Sequence, residues 1–136
     1  MATADLHFLI VDDFAPMRRI VSALLKDIGY SRQTEADDGS TAWKILESGA
    51  SSINFVLTDW NMPLLDGIGL LKKIRSNPDL AHLPVIMVTA ETHKDNILHA
   101  AECGADGYIV KPFNADTLER KIRKITARRE QMLAFA

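Results

Sequence analysis

The stretch His7-Phe8-Leu9-Ile10-Val11-Asp12-Asp13 decides the fold of this chain, because a compact apolar run ends there abruptly in two acids. Strands that are covered by helices on both faces of a parallel sheet are apolar without alternation. Residues 8–11 show that pattern and then give way to charge. The stretch therefore predicts a central strand that delivers two carboxylates to one edge of a sheet.

Similar runs recur along the chain and alternate with helical periods. The predicted strands are residues 7–11, 33–36, 55–58, 85–88 and 108–110. Between the first two strands, apolar residues three and four positions apart predict an amphipathic helix. Its apolar face is Met17, Ile20, Val21, Leu24, Leu25 and Ile28. Gly29 follows where a helix C-cap is expected. Later helices are predicted through residues 43–49, 68–74, about 92–102 and 118–125.

Five strands alternating with five helices predict an α/β fold with a parallel sheet. Strands one, three and four are continuously apolar and belong in the centre, whereas strand two is polar and strand five is short. This favours the order 2-1-3-4-5, a flavodoxin-like doubly wound (βα)5 domain with helices on both faces. A Rossmann order is the rival. The predicted domain is residues 1–136, with a core of about 6–126 and a helical extension of about 127–136.

Composition narrows the functional classes. The formal net charge of −2 argues against broad binding to nucleic acid, which needs a basic surface. Cys103, the single cysteine, cannot form an internal disulfide, and no apolar run approaches the ~20 residues that cross a bilayer. With no signal-peptide pattern at the N-terminus, the expected location is the cytoplasm, without a nucleic-acid or membrane partner.

Open α/β sheets bind ligands beyond the carboxyl ends of their strands. Asp12 and Asp13 follow strand one, Asp59 follows strand three, Thr89 ends strand four and Lys111 follows strand five. Each has an ordinary alternative: the acid pair as a helix N-cap, Asp59 as a turn residue, Thr89 as a satisfied hydroxyl and Lys111 as a surface charge. Their coincidence at one end of the sheet favours a site.

Three neighbouring carboxylates repel one another, so a cation or protonation must relieve the strain. Oxygen ligands without His or Cys indicate Mg2+, or Mn2+, and the turn at Asn61 could add a backbone ligand. A carboxylate neutralised in this way can attack phosphorus. Lys111 can screen charge on the phosphoryl oxygens, and Thr89 can donate a hydrogen bond to one of them. Lys111 precedes Pro112, which disfavours helical geometry and permits a cis bond that holds the lysine in the site.

The segments VDDFAPMRRIV (11–21), DWNMP (59–63), MVTAE (87–91) and GYIVKPF (107–113) resemble the response-regulator receiver domains, and among them the chemotaxis receivers. The resemblance implies that Asp59 is the phosphoacceptor. It implies that Asp13, Asp59 and the backbone carbonyl of Asn61 hold Mg2+, with Asp12 acting partly through water. It also implies catalytic and switching roles for Lys111 and Thr89. The residue types at Asn61 and Glu91 would tune hydrolysis of the aspartyl phosphate.

Partners also follow from the resemblance. It implies a phosphohistidine donor on a histidine kinase of the CheA type, with small donors such as acetyl phosphate serving too. The output would run through Thr89 and Tyr108 to the face made by the fourth helix, fifth strand and fifth helix. Lys94, Ile97, Tyr108 and Lys121 are the predicted contacts to the flagellar switch protein FliM. From the residues alone, Tyr108 is a half-buried edge aromatic. A monomer and a dedicated phosphatase partner are also consistent with the family.

Several other functions are alternatives to this one, and each would need particular sequence features. A phosphorelay intermediate or a phosphate sink stays within the family. A Mg2+-dependent aspartate-nucleophile phosphatase of the haloacid dehalogenase type would need an Asp-x-Asp nucleophile after strand one and a cap. A flavin or dinucleotide carrier would need a glycine-rich first turn. The expectation is a signalling protein that catalyses only its own phosphoryl transfer and dephosphorylation.

The remaining reactive residues are interpreted as structural. The four histidines, His7, His82, His93 and His99, show no metal-ligand spacing. The pairs Arg18-Arg19 and Arg128-Arg129 are predicted to be solvated helix faces. Trp43 and Cys103 are predicted to be buried packing residues.

Overall fold

The computed structural model describes residues 5–49, 52–90 and 93–134, with side chains as far as residue 131. Strands and helices alternate along these residues: β1 (Phe8–Val11), α1 (Ala15–Ile28), β2 (Gln33–Ala36), α2 (Gly39–Glu47), β3 (Phe55–Asp59), α3 (Gly67–Ser76), β4 (Val85–Thr89), α4 (Lys94–Glu102), β5 (Gly107–Val110) and α5 (Ala115–Ala134). All strand pairs are parallel, in the order β2-β1-β3-β4-β5. The predicted order is confirmed, and the rival Rossmann order is wrong.

The sheet separates two hydrophobic clusters, because successive side chains of a strand point to opposite faces. In β1, Phe8 and Ile10 enter the cluster that α1 and α5 cover. Leu9 and Val11 enter the cluster that α2, α3 and α4 cover. All four side chains are almost fully buried, which is why the strand has no polar position until it ends.

The helices begin and end largely where the sequence predicts. Gly29 ends α1 in a left-handed conformation with φ of 112°, and its N–H donates to the carbonyl of Leu25. Ile20, predicted on the buried face of α1, is 51% exposed. It lies about 100° around the helix from Val21, which is buried in the core, so it falls at the margin of the apolar stripe.

Two other predictions about packing need correction. Trp43 lies only partly buried against the core, with the ammonium of Lys73 5.3 Å from its ring centroid. Cys103 is also only partly buried. The predicted start of α4 at Thr92 lies outside the described residues, and the helix is assigned from Lys94. None of the described helices is long and apolar enough to span a membrane.

The predicted C-terminal extension continues α5 without a break through Ala134. Within it Arg129, predicted to be solvated, is instead held at the amino end of the sheet. Its Nη2 lies 2.8 and 2.9 Å from the two carboxylate oxygens of Asp106, and its Nη1 donates to the carbonyl of His82. Asp106 also accepts from Arg75 Nη2 at 2.9 Å and from the Val85 N–H at 2.8 Å. The extension therefore anchors the start of β4 and the residue before β5.

Replacing Arg129 with Ala should lower the free energy of unfolding by about 1–3 kcal/mol, because it leaves the largely buried Asp106 carboxylate with fewer partners. Urea denaturation would measure the loss. Lys124→Ala, at an exposed position of the same helix, is the matched control and should change stability by less than about 0.5 kcal/mol. Equal effects of the two substitutions would contradict the anchoring role.

Candidate functional site

Three carboxylates meet at the carboxyl end of the sheet. β1 and β3 are neighbours in which Val11 pairs with Thr58, so the residues that follow, Asp12 and Asp59, lie side by side. Asp13 comes next on the loop after β1. One carboxylate oxygen from each acid lies within 4.8 Å of the others. The convergence expected from the strand ends is therefore present in the structure.

The loop after β1 holds the almost fully buried Asp12 through both its backbone and its side chain. Its N–H donates to the carbonyl of Ala36 on β2 at 3.2 Å. Its Oδ1 accepts from the Phe14 N–H at 2.9 Å. Neither acid is the N-cap of α1, because that position is Phe14, which makes no side-chain capping bond. The structure thus does not support the N-cap alternative for the acid pair.

Asp59 ends β3 and is largely shielded from solvent, with 12% of its side chain exposed. Its Oδ1 accepts from the Trp60 N–H at 2.8 Å. Burial raises the pKa of Asp59 above its ordinary value of 3.8, the nearby charge of Lys111 lowers it and that of Asp12 raises it. Of these effects on the pKa, burial is the largest. Ionisation of this carboxylate is thus less favourable than that of a carboxylate in water, and added positive charge would favour it.

The loop after β3 packs tightly against the start of α3. The N–H of Gly67 donates to the carbonyl of Trp60 at 2.8 Å. A β carbon at Gly67 would lie 2.2 Å from the carbonyl oxygen of Asp59 and 2.8 Å from Cε of Met87. Only glycine fits at this contact, so the first residue of α3 fixes the backbone of Asp59.

Lys111 enters the site from the loop after β5. Its N–H donates to the carbonyl of Thr89 at 2.8 Å, and its bond to Pro112 is cis. Its Nζ lies 3.0 Å from Asp12 Oδ2 and 3.5 Å from Asp59 Oδ1. The lysine is therefore a partly buried ammonium shared by two of the three carboxylates, and not the surface charge of the alternative interpretation.

Thr89, the last residue of β4, is 1% exposed. Asp59 pairs with Val88, so Thr89 lies one residue farther toward the site edge than the partner of the acid. Asn61 is exposed on the loop two residues after Asp59. Glu91, the other residue predicted to tune hydrolysis, lies outside the described residues.

The predicted output residues lie on three elements beside the site. Tyr108 on β5 is half-buried, and its ring meets that of Trp60 edge to face at a centroid distance of 6.2 Å. A groove of about 120 Å³ lies between α4 and β5, and its lining includes Ile97 and Tyr108. Lys94 is exposed at the start of α4, and Lys121 is half-buried on α5. Because Trp60 directly follows Asp59, its ring links the acid cluster to this groove.

Sequence reasoning missed one residue that shapes the site. Arg18, predicted to be solvated, has 18% of its side chain exposed. Its Nη1 donates to the backbone carbonyl of Asp12 at 2.7 Å, and its Nε donates to Glu35 on β2 at 3.1 Å. A signal was present in the sequence, since Glu35 is a charged residue in a predicted strand and Arg18 lies in the first turns of the helix that covers the sheet. Arg19 is exposed as predicted.

The histidines do not join the acid cluster, which is the one candidate metal-binding group found among the described residues. His7 hydrogen-bonds through its ring nitrogens with Ser52 at 2.9 Å and Thr34 at 2.8 Å. Burial, and to a smaller degree the nearby Arg32, lower its pKa. These contacts give His7 a packing role at the opposite end of the sheet.

Comparison with known proteins agrees with the geometry. The family model described as "Response regulator receiver domain" matches residues 8–123. The chain is 53% identical over 124 residues to chemotaxis protein CheY-3 of Vibrio cholerae, covering 91% of this chain and 94% of the relative. It is 52% identical over 123 residues to chemotaxis protein CheY of Pseudomonas aeruginosa, covering 90% and 98%.

Solved structures show the same architecture. The chemotaxis protein CheY4 of Vibrio cholerae, crystallised at low pH, has a TM-score of 0.79 and 31% identity, covering 90% of this chain and 99% of its own. A response regulator receiver domain protein from Clostridium thermocellum has a TM-score of 0.82 and 28% identity, covering 93% and 98%. With the strand order and the acid cluster in place, these similarities show that the chain belongs to the response regulator receiver domain family and is closely related to the CheY chemotaxis proteins.

Proposed function

We propose that this protein is a chemotaxis response regulator whose Asp59 accepts a phosphoryl group from a phosphohistidine of a CheA-type histidine kinase. The reaction depends on Mg2+, and the phosphorylated form binds the flagellar switch protein FliM to change motor rotation. The observation that carries the proposal is the Lys111 ammonium, which lies between Asp12 and Asp59 within the three-carboxylate cluster. The close relation to chemotaxis proteins supports the choice of pathway.

The donor set fits Mg2+. Asp12, Asp13 and Asp59 offer only carboxylate oxygens, which hard divalent cations prefer. The backbone carbonyl of Asn61, two residues after Asp59, would be a further ligand. One ammonium cannot balance three carboxylates, and a bound cation would oppose the effect of burial, which raises the pKa of Asp59. When bound, Mg2+ would neutralise the cluster and the oxygens of the incoming phosphoryl group.

The chemistry needs little from the protein beyond position and charge. An oxygen of Asp59 forms a bond to phosphorus while the bond between phosphorus and the donor imidazole breaks. The electron pair of that bond stays on the imidazole nitrogen, which takes up a proton from solvent. Lys111 screens the negative charge of the phosphoryl oxygens, and the Thr89 hydroxyl donates a hydrogen bond to one of them.

The output is a shift between two conformations of the α4-β5-α5 face. Thr89 moves toward the phosphoryl group, and Tyr108 turns into the space that it leaves. The contact between the rings of Trp60 and Tyr108 supports this route, since it joins the residue after the acceptor to the groove beside α4. Lys94, Ile97, Tyr108 and Lys121 are the proposed contacts to FliM.

Asn61 and Glu91 would tune how quickly the aspartyl phosphate hydrolyses. Residues 1–136 would form one receiver domain that acts as a monomer in the cytoplasm, with a dedicated phosphatase as a further partner.

Wild-type protein incubated with acetyl phosphate should gain one phosphoryl group when Mg2+ is present. Asp59→Asn should gain no phosphoryl group, because the substitution removes the proposed acceptor carboxylate. Intact-mass measurement detects the adduct, and the fluorescence of Trp60 follows its formation. No adduct on the folded, Mg2+-bound protein, with this donor or with a phosphorylated kinase, would overturn the proposal.

In metal-free protein at pH 7, Asp59→Asn should raise the melting temperature by about 3–5 °C. Burial raises the pKa of Asp59, so the stability tied to its proton is fully present below the unfolded pKa of about 3.9. That stability is lost as pH rises through the higher folded pKa. The difference in melting temperature between Asp59→Asn and wild type should therefore shrink toward about pH 3. At pH 7, Mg2+ should also reduce this difference, because it stabilises the wild type.

Asp27→Asn, at an exposed position of α1, is the control for this thermal experiment and should leave the melting temperature unchanged at both pH values. A gap between Asp59→Asn and wild type that does not depend on pH would contradict the assignment.

Phosphorylation should increase the affinity for a FliM peptide by about tenfold or more. In the phosphorylated protein, Lys94→Ala should weaken that binding by about two- to fivefold, the size expected of one surface charge. Lys44→Ala, at an exposed lysine of α2, is the matched control. Fluorescence anisotropy of the labelled peptide measures both effects. Binding that does not depend on phosphorylation would contradict the switch, and an absence of binding in both states would favour the phosphorelay or phosphate-sink alternative.

A further inference from the structure

The guanidinium of Arg18 reaches from the first turn of α1 to the loop that carries the acid pair. The N–H of Arg18 donates to the carbonyl of Phe14 at 3.2 Å, so its own backbone is fixed by the start of the helix. Its Nη1 donates to the backbone carbonyl of Asp12 at 2.7 Å, and its Nε donates to Glu35 on β2 at 3.1 Å. One planar group with several donors thus joins α1, β2 and the end of β1.

The backbone of Asp12 is held at both of its polar groups. Its N–H donates to the carbonyl of Ala36 at 3.2 Å, and its carbonyl accepts from Arg18. That carbonyl belongs to the planar peptide group that leads to Asp13, so the guanidinium fixes the direction in which the chain leaves the sheet. Asp13 is itself exposed, and packing therefore does little to fix its carboxylate. The place of Asp13 in the acid cluster depends on this peptide group.

The ion pair with Glu35 does not by itself account for the burial of Arg18. The side chain of Arg18 is 18% exposed, whereas that of Glu35 is 44% exposed. An ion pair with an exposed carboxylate adds little to stability, although burial of a charged group is unfavourable. The bond to the Asp12 carbonyl is charge-assisted, and such bonds are short and strong. The arrangement therefore serves to place the acid loop accurately and adds little to the stability of the fold.

We infer that Arg18 is a positioning residue for metal binding, which fixes the peptide group between Asp12 and Asp13 so that both carboxylates are held ready for a divalent cation. The inference rests on the proposed function and deepens it, because it gives α1 a part in setting the affinity for Mg2+. Residues that orient the ligands of a metal commonly set its affinity in this way. Without Arg18 the loop would have to be ordered when the cation binds, and that ordering weakens binding.

The positive charge of Arg18 allows positioning to be distinguished from a simple electrostatic effect. A cationic side chain near three carboxylates opposes the binding of a second cation, so removal of its charge alone should strengthen Mg2+ binding. Loss of the contact with the Asp12 carbonyl should instead weaken Mg2+ binding. The direction in which the dissociation constant changes in Arg18→Ala therefore separates the two roles.

The test is a titration of the full-length protein with Mg2+, followed by Trp60 fluorescence. Arg18→Ala should raise the Kd for Mg2+ by about tenfold, as expected when a residue that orients metal ligands is lost. Arg18→Lys keeps the charge, but its single nitrogen cannot replace both donors of the guanidinium, so the Kd should rise by about threefold or more. Arg19→Ala removes the same charge from the exposed neighbouring residue, and this matched control should not raise the Kd.

Glu35 gives a second test, because it holds the other side of the guanidinium. Glu35→Gln removes the charge but keeps an oxygen that can accept from Arg18, so the Kd for Mg2+ should stay within about twofold of wild type. Glu35→Ala removes the acceptor and should raise the Kd by about threefold. Equal effects of the two substitutions would contradict the role of this contact.

The rate of phosphorylation by acetyl phosphate separates metal affinity from the chemical step. In Arg18→Ala, the Mg2+ concentration that gives the half-maximal rate should rise by about tenfold, whereas the rate at saturating Mg2+ should stay within about threefold of wild type. If wild-type protein binds Mg2+ but accepts no phosphoryl group, the proposed function fails, and the Mg2+ titrations still decide the role of Arg18.

Three results would overturn the inference. An unchanged or lower Kd in Arg18→Ala, even with a lower melting temperature, would make Arg18 a structural or electrostatic group only. A rise of the Kd in Arg19→Ala equal to that in Arg18→Ala would trace the effect to lost charge. Wild-type protein that shows no saturable Mg2+ binding would leave Arg18 with no metal to position. Arg18→Lys and the two Glu35 variants carry the test if Arg18→Ala does not fold.

Discussion

The repulsion among Asp12, Asp13 and Asp59 is the constraint on which the rest of the site depends. Two parallel neighbouring strands end together and bring these carboxylates within 4.8 Å of one another. The only ammonium found between them is that of Lys111, within 3.0 Å of one acid and 3.5 Å of another in the described structure. Such an excess of like charge destabilises the folded state, and perturbed charge clusters of this kind are typical of functional sites. The surrounding contacts serve to hold this unfavourable arrangement still: Arg18 fixes the loop after β1, and Gly67 fixes the end of β3.

Buried negative charge is balanced by positive charge at one end of the sheet and left in excess at the other. At the amino end, the carboxylate of Asp106 accepts from two arginines and from a backbone N–H, so its charge is matched. At the carboxyl end, one lysine contacts two of the three acids. β5 joins the two environments, since Asp106 directly precedes it and Lys111 directly follows it. β5 is anchored at its start by Asp106 and ion-paired after its end through Lys111. The conformation at its carboxyl end can therefore change while the rest of the strand stays folded. Arg129 adds to that anchor from the C-terminal part of α5, which gives the extension a structural purpose.

The sequence predicted the features that follow from a local pattern, such as the strands and the residues at their ends. It missed the contacts that long side chains make with residues distant in the chain. Continuous apolar runs identified the central strands, and their ends located Asp12, Asp59 and Lys111, because parallel strands bring their carboxyl ends to one edge. Ile20 was placed on the buried face because periodicity locates a stripe but not its margins. The sequence predicts solvated side chains for Arg18 and Arg129 because adjacent arginines look alike in sequence. Only the packed helices show that Arg18 reaches a backbone carbonyl and that Arg129 reaches a carboxylate.

The proposed route from the acid cluster to the α4-β5-α5 face agrees with a difference in how firmly the neighbouring elements are held. β4 is buried along its whole length and β3 is buried except at its last residue, Asp59, so these strands cannot rearrange without opening the core. α4 buries one residue, Ala100, and its side toward β5 borders a groove instead of a packed interface. The ring of Tyr108 lies at that groove and touches Trp60, the residue directly after Asp59. Asp59 therefore has buried strands on most sides. The half-buried contact between the rings of Trp60 and Tyr108 is the neighbouring contact that is freest to rearrange. Beyond that contact lies α4, which is lightly packed. A shift of α4 would therefore cost less packing energy than a shift of the strands.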